Sequence, residues 1–554
     1  MLCGIIKLMN TIQHKLNQAV LALFSISQEV ELTRPDYSFG DWTTNVALKI
    51  TKAVGQPPRE IAQQIADYVK HDEAFKSVDI AGPGFINITL KPEVILNSAL
   101  KDYAVSRQEA RVVIETNNPN PFKAMHIGHA FNSILADTVA NLLEVQYESV
   151  VRVSYHGDVG SHVGKSMYAI MRFCDGDASK LDSIDPEDRK DFMSRMYVEG
   201  ATSYEQSEEV KAEVNGLAQQ SFVLDDKYYR EIYEKCKAWS FTGIDEAVSR
   251  LGNKPTTKRY LESQADPIGV GVVRANVGPV FFESDGAVIF PGSKYGSFDN
   301  TFVSSAGRGL YAARDLGLIK LKSDDFSPVK SYIITAEEQR DYFKGVLAAA
   351  DLCMPEYKGV TENIIHGTVK LATGKMSSRT GDVVDISWLF EQFKEAIEKR
   401  GGVASDEMAA AAMRYQFLKI RIGGDDVFDI NEAVSLTGNT GSYIQYAHAR
   451  ARGIIRKSGN SEVSDVEEVL EEDLTLIRKL AEYSEVMESA IVDLQPHRIC
   501  NYLFELAQEF NRYYEKNMVI GSNEETHRLG IVKLYADRLK SGLKVLGIVA
   551  PEEM

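Results

Sequence analysis

The stretch RVVIETNNPNPFKAMHIGH, residues 111–129, determines the fold class of this chain. Residues 111–115 are typical of a short buried strand, and a polar loop rich in proline and asparagine follows. Beyond the loop, apolar residues recur at the i, i+3 and i+4 positions of a helix, and residues 150–153 give a second strand signal. A strand, a helix and a strand in about forty residues predict a βαβ unit, and therefore a parallel sheet.

The rest of the chain is organised around this unit. A length of 554 residues corresponds to about three or four domains. Residues 1–105 predict an α+β module, and residues 106–385 predict an α/β domain with a charged, helical insertion at about 176–265. A helical connection over 386–435 and an all-α helical bundle over 436–554 complete the predicted architecture.

Composition and charge exclude several classes of protein. Apolar residues make up 44% and charged residues 25%, which is ordinary for a globular chain. No apolar run approaches the roughly 18 residues of a membrane span. The five cysteines are scattered and never spaced C-x-x-C, which predicts neither disulfides nor a metal site but a cytoplasmic location. With 62 basic and 79 acidic side chains the net charge is −17, so we expect no DNA partner and no membrane, although a local basic stripe can still contact one RNA.

A candidate phosphate site closes the loop of the βαβ unit, where His126-Ile127-Gly128-His129 begins the helix. A helix N-terminus offers free N–H groups and a positive dipole end to a polyphosphate. Gly128 permits close approach to the backbone, and the two histidines and Lys123 add donors for charge that develops at an α-phosphate. The sequence therefore predicts ATP binding and catalysis here; the simpler alternative is two surface histidines at a helix start.

A second candidate element is the loop GKMSSRTG, residues 374–381, after a late strand. Its two cations flank small hydroxyl residues, and such a loop can close onto a triphosphate. Lys375 would act there as a point charge and Arg379 as a planar fork, with Met376 and Ser377 between them. Taken alone, the segment is an ordinary basic turn.

Together, H-I-G-H and K-M-S-S-R form the two-part signature of class I aminoacyl-tRNA synthetases, and this chain resembles that class. Three stretches make it similar to arginyl-tRNA synthetases: ETNNPNPFKAMHIGH (115–129), LYAARD (310–315) and GSYIQYAHAR (441–450). The resemblance implies a monomer with a Rossmann-type sheet that uses ATP with Mg²⁺ to activate L-arginine as an adenylate. It also implies transfer of arginine to the 3′ end of tRNA(Arg).

The chemistry of arginine supports the resemblance. A planar cation with five donors requires carboxylates in a bidentate pose, with aromatic or hydroxyl groups beside them. Glu115 ends the first strand, and Tyr311 and Asp315 share one face if their stretch is helical. Carried over from the family, Tyr311 and Asp315 hold the guanidinium, and the α-amino and carboxylate end is held, with Glu115 nearby, by Asn118, Asn120 and Gln339.

Three positions depart from the family pattern. Arg379 stands where most class I enzymes have a second lysine, a change that is common among arginyl enzymes and that Lys123 can offset in part. Asn118 replaces the usual serine, and Ala313 replaces the usual threonine.

A basic stripe near the C-terminus is the candidate RNA contact. It contains three arginines preceded by two tyrosines, and aromatic residues beside arginines suit unstacked bases: Tyr443, Tyr446, Arg450, Arg452 and Arg456. In the family the C-terminal bundle receives the anticodon, and the N-terminal module, here through residues 39–45, contacts the outer corner of the tRNA. The alternative is a solvated helix face.

Simpler interpretations remain open for the site and for the function. Asp315 could form a helix salt bridge with Arg314, and Gln339 could be a surface glutamine. A small-molecule nucleotidylyltransferase also carries H-x-G-H, but such chains are usually short and lack a helical C-terminal bundle. A synthetase-like protein that only binds tRNA or arginine would be expected to have a degenerate signature, whereas His126 and His129 are intact.

Overall fold

The computed structural model describes residues 4–103, 105–372, 384–459 and 464–554. Four predicted site residues lie outside the described residues, namely Lys375, Met376, Ser377 and Arg379. In the described part of the chain, no helix is both long and apolar enough to cross a membrane.

The chain begins with an α+β module. Its elements are α1 (Gly4–Phe24), β1 (Trp42–Thr44), α2 (Val46–Val54), α3 (Pro58–Val69), β2 (Phe75–Ala81), β3 (Phe85–Leu90) and α4 (Pro92–Ala99). The strands form an antiparallel sheet in the order β1-β3-β2. Gly84, at φ +144°, lies in the turn between β2 and β3, where a Cβ would meet the Pro58 carbonyl oxygen at 2.9 Å. The tight turn therefore requires glycine at this position.

The α/β domain follows the module. Its elements are β4 (Gln108–Glu115), α5 (Ile127–Gln146), β5 (Tyr147–His156), α6 (Ser161–Cys174), α7 (Arg189–Tyr204), α8 (Glu208–Val223), α9 (Lys227–Arg250), β6 (Lys258–Leu261), α10 (Glu262–Ala275), β7 (Phe282–Ser284), β8 (Ala287–Phe290), β9 (Asn300–Val303), α11 (Tyr311–Phe326), β10 (Lys330–Ala336), α12 (Arg340–Cys353), β11 (Thr361–His366) and β12 (Val369–Leu371). Five strands form a parallel sheet in the order β11-β10-β4-β5-β6. The predicted βαβ unit is confirmed as β4, α5 and β5.

Strand β4 is buried on both faces, as is usual in a parallel sheet. Val112 and Ile114 pack in the core that includes α5, whereas Val113 packs with Leu318 of α11. The carboxyl end of β4, which carries Glu115, therefore lies between these two helices. Side chains from β4, α5 and α11 consequently meet at this edge of the sheet.

The charged segment after α6 forms helices α7 to α9, which is consistent with the predicted insertion. Its predicted end at about 265 is too late, because β6 pairs in register with β5 and is the edge strand of the main sheet. Four residues of strand after a long helix give too short a pattern to be separated from the insertion by periodicity.

In the residues that the structure describes from 384 onwards, the chain is helical apart from one short strand. Its elements are α13 (Ile386–Glu398), α14 (Asp406–Leu418), β13 (Asp426–Phe428), α15 (Ile430–Ala433), α16 (Gly441–Lys457), α17 (Leu474–Ala481), α18 (Tyr483–Val492), α19 (His497–Lys516) and α20 (Glu525–Val545). Strand β13 pairs in parallel with β12. The helices share one continuous apolar core with α5 and with the N-terminal module.

The N-terminal module is held against the C-terminal helices by polar contacts. Asp41, only 1% exposed, accepts hydrogen bonds from the backbone N–H of Leu90 at 2.7 Å and from Arg478 Nε at 2.8 Å. Arg34 donates to Glu485 at 3.2 Å. Asp41 lies in the stretch predicted to contact tRNA, but it is buried and serves instead to dock the module.

A second buried arginine joins α5 to the C-terminal helices. Arg414 of α14 donates to Asp137 of α5 at 2.9 Å, to the Leu546 carbonyl oxygen at 3.0 Å and to the Leu251 carbonyl oxygen at 3.1 Å. The side chains of Arg414 and Asp137 are each 1% exposed, and Arg152 also contacts Asp137 at 3.2 Å. This arginine therefore connects the end of the insertion, the signature helix and the C-terminal bundle.

We expect Arg414→Met to lower the free energy of unfolding by about 3–5 kcal/mol, because it removes one partner of a buried ion pair. The matched control is Arg512→Met, which breaks an exposed pair with Glu509 and should cost at most about 1 kcal/mol. Urea unfolding followed by circular dichroism measures both variants. Equal losses in the two variants would contradict the role of Arg414.

Candidate active site

Two stacked histidines begin helix α5. His126 is the N-cap residue, and His129 Nδ1 accepts a hydrogen bond from the His126 backbone N–H at 3.3 Å. Their ring centroids are 3.6 Å apart. A Cβ on Gly128 would lie 3.1 Å from the His126 ring, so glycine leaves room for this stack. The predicted residues of the first signature are therefore brought together at the free N–H groups of the helix.

Both histidines are neutral at physiological pH. Burial, with a contribution from the charge of Lys123, lowers the pKa of His126 to about 4. Burial and the neighbouring His126 lower the pKa of His129 well below its usual value. Each ring thus offers one N–H donor and one acceptor nitrogen rather than a fixed positive charge.

The segment after the second signature is anchored beside the first. Ile127 N–H donates to the Val384 carbonyl oxygen at 3.0 Å, and Ile386 N–H donates to the Met125 carbonyl oxygen at 3.1 Å. The Lys123 ammonium lies 6.0 Å from the centre of the Tyr197 ring in α7. The chain therefore returns to the His126 loop directly after the undescribed residues 373–383.

A buried ion pair lies at the carboxyl end of β4. Lys322 Nζ of α11 contacts Glu115 Oε1 at 2.6 Å, and the two side chains are 1% and 3% exposed. Asn118 Nδ2 donates to the other oxygen, Oε2, at 2.9 Å. Asn118 Oδ1 accepts from the Tyr155 backbone N–H at 2.9 Å. The Glu115 carboxylate is therefore held on both oxygens.

A second carboxylate on α11, that of Asp315, has no cationic partner among the described contacts. It accepts a hydrogen bond from the Tyr342 hydroxyl of α12. Burial, with smaller contributions from Glu115 and Glu262, raises the pKa of Asp315 to about 7, against the opposing effects of this hydrogen bond and of Lys322. Arg314 does not pair with Asp315, because it contacts Glu262 at 2.8 Å and Asp266 at 3.2 Å. The helix salt bridge considered for Asp315 is therefore absent.

The other predicted arginine ligands lie at the same edge of the sheet. Asn120 Oδ1 accepts from the Gly157 backbone N–H after β5 at 2.8 Å. Tyr311 is 69% exposed at the start of α11, and the Arg314 guanidinium lies 5.4 Å from its ring centre. Gln339 is exposed at the N-terminus of α12, after β10. These three side chains surround the edge rather than contacting one another.

The structure places Ala313 in a close crossing of two helices. Ala313 is fully buried where α10 and α11 cross. A Cβ on Gly269 of α10 would lie 1.7 Å from the Ala313 carbonyl oxygen, and one on Gly317 would lie 2.1 Å from the Ala265 carbonyl oxygen. The two helices thus approach at the distance that small residues allow, and Ala313 belongs to this crossing.

Four side chains of the site are absent from the sequence prediction, namely Glu262, Lys322, Tyr342 and Tyr155. The Tyr155 hydroxyl is buried without a hydrogen-bond partner among the described residues, and burial near Asp315 raises its pKa. Lys322 lies seven residues after Asp315, which is two helical turns on the same face. That spacing is a signal that could have identified Lys322, whereas Tyr155 and Tyr342 come from other elements without any such pattern.

The predicted RNA-binding residues lie on helix α16. Arg452 Nε contacts Glu552 at 2.7 Å, Arg456 contacts Glu553 at 3.3 Å, and the Arg456 guanidinium donates to the Glu552 carbonyl oxygen at 2.8 Å. We call residues 551–554 the acidic tail. The tail therefore neutralises part of the predicted basic stripe.

The other residues of the stripe are nearer α19. Arg450 donates to Asn511 Oδ1 at 3.2 Å, and Asn511 Nδ2 donates to the Tyr443 hydroxyl at 2.8 Å. Tyr446 is 39% exposed on the same helix. Arg450 and the two tyrosines consequently form a surface that is separate from the tail contacts.

Three family models match successive parts of the chain. The arginyl tRNA synthetase N terminal domain matches residues 7–90, the catalytic domain of class I (R) tRNA synthetases matches 92–412, and the DALR anticodon binding domain matches 444–554. The catalytic model alone covers more than half of the chain, and it includes both signature regions.

Curated relatives and solved structures agree with these matches. The chain is 28% identical to an arginine–tRNA ligase of Shewanella amazonensis over 97% of this chain and 96% of that protein. It is 28% identical to one of Pseudomonas syringae over 95% of each chain. In fold it is similar to the arginyl-tRNA synthetase of Thermus thermophilus, with a TM-score of 0.82 at 22% identity over 98% of this chain and all of that one. The Plasmodium falciparum structure gives a TM-score of 0.83 at 18% identity and covers both chains fully.

Proposed function

Since the chain belongs to the class I arginyl-tRNA synthetase family, we propose that it is an arginine–tRNA ligase that works through an arginyl-adenylate. The arginine carboxylate attacks the α-phosphate of ATP and pyrophosphate leaves; the arginyl group then passes to the 3′-terminal ribose of tRNA(Arg) and AMP leaves. One observation carries the proposal at the level of residues: the stacked histidines and the Asp315 carboxylate occupy the same carboxyl edge of one parallel sheet. In open α/β sheets, ligands bind at this edge.

The ATP end of the site is assigned to the first signature. His126 and His129 donate hydrogen bonds to phosphate oxygens, and their neutral rings support donation without a permanent charge. Gly128 lets the nucleotide approach the backbone, and Lys123 supplies a positive charge next to the histidines. Because these donors strengthen as charge grows on the α-phosphate, they stabilise the transition state more than bound ATP.

The second signature is assigned to the triphosphate. As the family resemblance implies, Lys375, Met376, Ser377 and Arg379 bind the β- and γ-phosphates. The described chain resumes at Val384, whose carbonyl oxygen accepts a hydrogen bond from the Ile127 N–H. Mg²⁺ enters with ATP, since this ion is held mainly by phosphate oxygens and water and needs few protein ligands. The chain therefore needs no metal cage of its own for this step.

The arginine end is assigned to the carboxylates. The Asp315 carboxylate receives the guanidinium, with the Tyr311 ring beside it. Asn118, Asn120 and Gln339 bind the α-amino and carboxylate groups, with Glu115 at the base of the site. An amino acid without a guanidinium group would leave the Asp315 carboxylate without a partner. The cost of that unpaired charge disfavours binding of other amino acids.

The RNA side completes the proposal. The helical bundle over residues 436–554 receives the anticodon of tRNA(Arg) on α16, through Tyr443, Tyr446, Arg450, Arg452 and Arg456. The matched anticodon binding domain over residues 444–554 supports this assignment. We further propose that the protein acts as a monomer in the cytoplasm.

Arginine-dependent exchange of pyrophosphate into ATP, measured with and without tRNA, tests the function. We expect exchange with arginine and none with lysine. His129→Asn should lower the exchange rate by about 10²- to 10³-fold, the usual effect of losing one transition-state donor. His14→Asn, in the N-terminal helix, is the matched control and should leave the rate unchanged. Folded wild-type protein without any exchange would point instead to a protein that only binds tRNA or arginine.

The pH dependence of kcat/KM for arginine tests the role of Asp315. The guanidinium is charged throughout, so binding requires the ionised carboxylate, and kcat/KM should rise as the pH increases through about 7. His126, whose pKa is about 4, does not titrate in this range. We call this rise the acid limb of the pH profile. Asp315→Asn should abolish the acid limb and lower kcat/KM by about two orders of magnitude. A limb that persists in the variant would remove Asp315 from the assignment.

Salt-dependent tRNA binding tests the stripe on α16. Glu552→Gln with Glu553→Gln frees Arg452 and Arg456, so we expect tighter binding and a slope of log K against log salt that is steeper by about 0.7 per additional phosphate contact. Glu209→Gln with Glu213→Gln changes the net charge equally on α8 and serves as the control. Unchanged or weaker binding in the tail variant alone would contradict the assignment of these arginines.

A further inference from the structure

Resting on the proposed function, we propose that Lys322 is a positioning residue of the arginine site. Its buried ammonium pairs with Glu115, so Asp315 is the carboxylate whose charge the substrate must balance. This division of roles between two carboxylates leaves Asp315 for the cationic group of the substrate. Lys322 acts through Glu115 and Asp315 and does not itself contact the substrate.

The first support is geometric. Lys322 and Glu115 come from α11 and β4, 207 residues apart, and meet at 2.6 Å with almost no exposure of either side chain. Asn118 donates to the second oxygen of Glu115 and is itself fixed by the backbone of Tyr155. The carboxylate therefore has a fixed orientation before any ligand binds, as preorganisation of a binding site requires.

The second support is the count of charges around Asp315. Two other carboxylates act on the pKa of Asp315, namely Glu115 of β4 and Glu262 of α10. Glu115 is paired with Lys322, and Glu262 is paired with Arg314 at 2.8 Å. Among the described residues, the other groups that face Asp315 include the phenols of Tyr342 and Tyr155, which are neutral. Because Arg314 is shared between Glu262 and Asp266 and Asp315 has no cationic partner among the described contacts, the site keeps a net negative charge for the guanidinium.

The third support is the direction in which each neighbouring charge moves the pKa of Asp315. Glu115 raises the pKa of Asp315, whereas Lys322 lowers it. Two neighbouring carboxylates without a cation between them would compete for a proton, and one would remain protonated at neutral pH. Lys322 prevents this competition and so keeps Asp315 available to the substrate near pH 7. A residue that merely filled space at this position would not have this effect.

The test measures the acid limb of kcat/KM for arginine in three variants. Lys322→Met should move the limb to higher pH by about one unit and lower kcat/KM near pH 7 about tenfold. Glu115→Gln should move the limb to lower pH, because the ammonium then acts on Asp315 without opposition. The double variant should return the limb to within a few tenths of a unit of the wild-type position. Opposite shifts that cancel are the signature of this charge arrangement.

Two further variants separate positioning from packing. Lys322→Arg keeps the charge and should keep the limb in its wild-type position. Lys320→Met, on the exposed side of the same helix where Lys320 pairs with Asp324, is the matched control and should change neither the limb nor kcat/KM. Thermal unfolding of each variant confirms that the protein remains folded.

The outcomes distinguish this inference from the proposed function. Wild-type exchange with an acid limb near pH 7, but with no shift in Lys322→Met or with shifts in one direction only, would overturn the role of Lys322 alone. If Lys322→Met does not fold, the role of Lys322 is still tested by the other two variants. The acid limb should move to lower pH in Glu115→Gln and return in the double variant. Absence of arginine-dependent exchange in the wild-type protein would overturn the proposed function itself.

Discussion

The guanidinium of Arg414 is enclosed where four segments of the chain meet, and the position of helix α5 depends on it. Its partners are a side chain of α5 and the backbone at the ends of α9 and α20. The guanidinium also donates to the side chains of Asn253 and Thr138. A buried cation without partners is very unfavourable, so this position of Arg414 is stable only where these segments pack together. The same helix carries His126 and His129 at its N-terminus. The geometry of the catalytic edge is therefore tied to the packing of the C-terminal bundle.

The electrostatics of the site follow from the way its charges are paired. Glu115 and Glu262 have internal cations, and the histidines are neutral because they are buried. The low dielectric of the site strengthens whatever charge remains. Asp315 is the group on which this remaining charge falls. A strongly charged substrate is thus met by Asp315, which lacks a cationic partner among the described residues, rather than by a broadly acidic surface.

The sequence predicts most of the fold but only part of the site. The βαβ unit is readable because apolar periodicity changes from strand to helix within one short stretch, and the parallel sheet follows from the crossover. The edge strand β6 is missed because four residues carry too little pattern. Lys322 and Tyr342 are missed because contacts between distant elements leave no local signal. The partners of Arg452 and Arg456 are missed for the same reason, since they lie about 100 residues further along the chain. The roles assigned to individual side chains stay predictions.

The docking of the N-terminal module has a consequence for the synthesis of the protein. Asp41 and its partner Arg478 are 437 residues apart, which at roughly 5–20 residues per second corresponds to about 20 to 90 s of translation. During this interval the nascent module exposes the face that carries Asp41 and Arg34, because their partners Arg478 and Glu485 have not yet been synthesised. The module therefore waits for its docking partner far longer than a helix or hairpin takes to form. Its final placement is among the last events in the maturation of the chain.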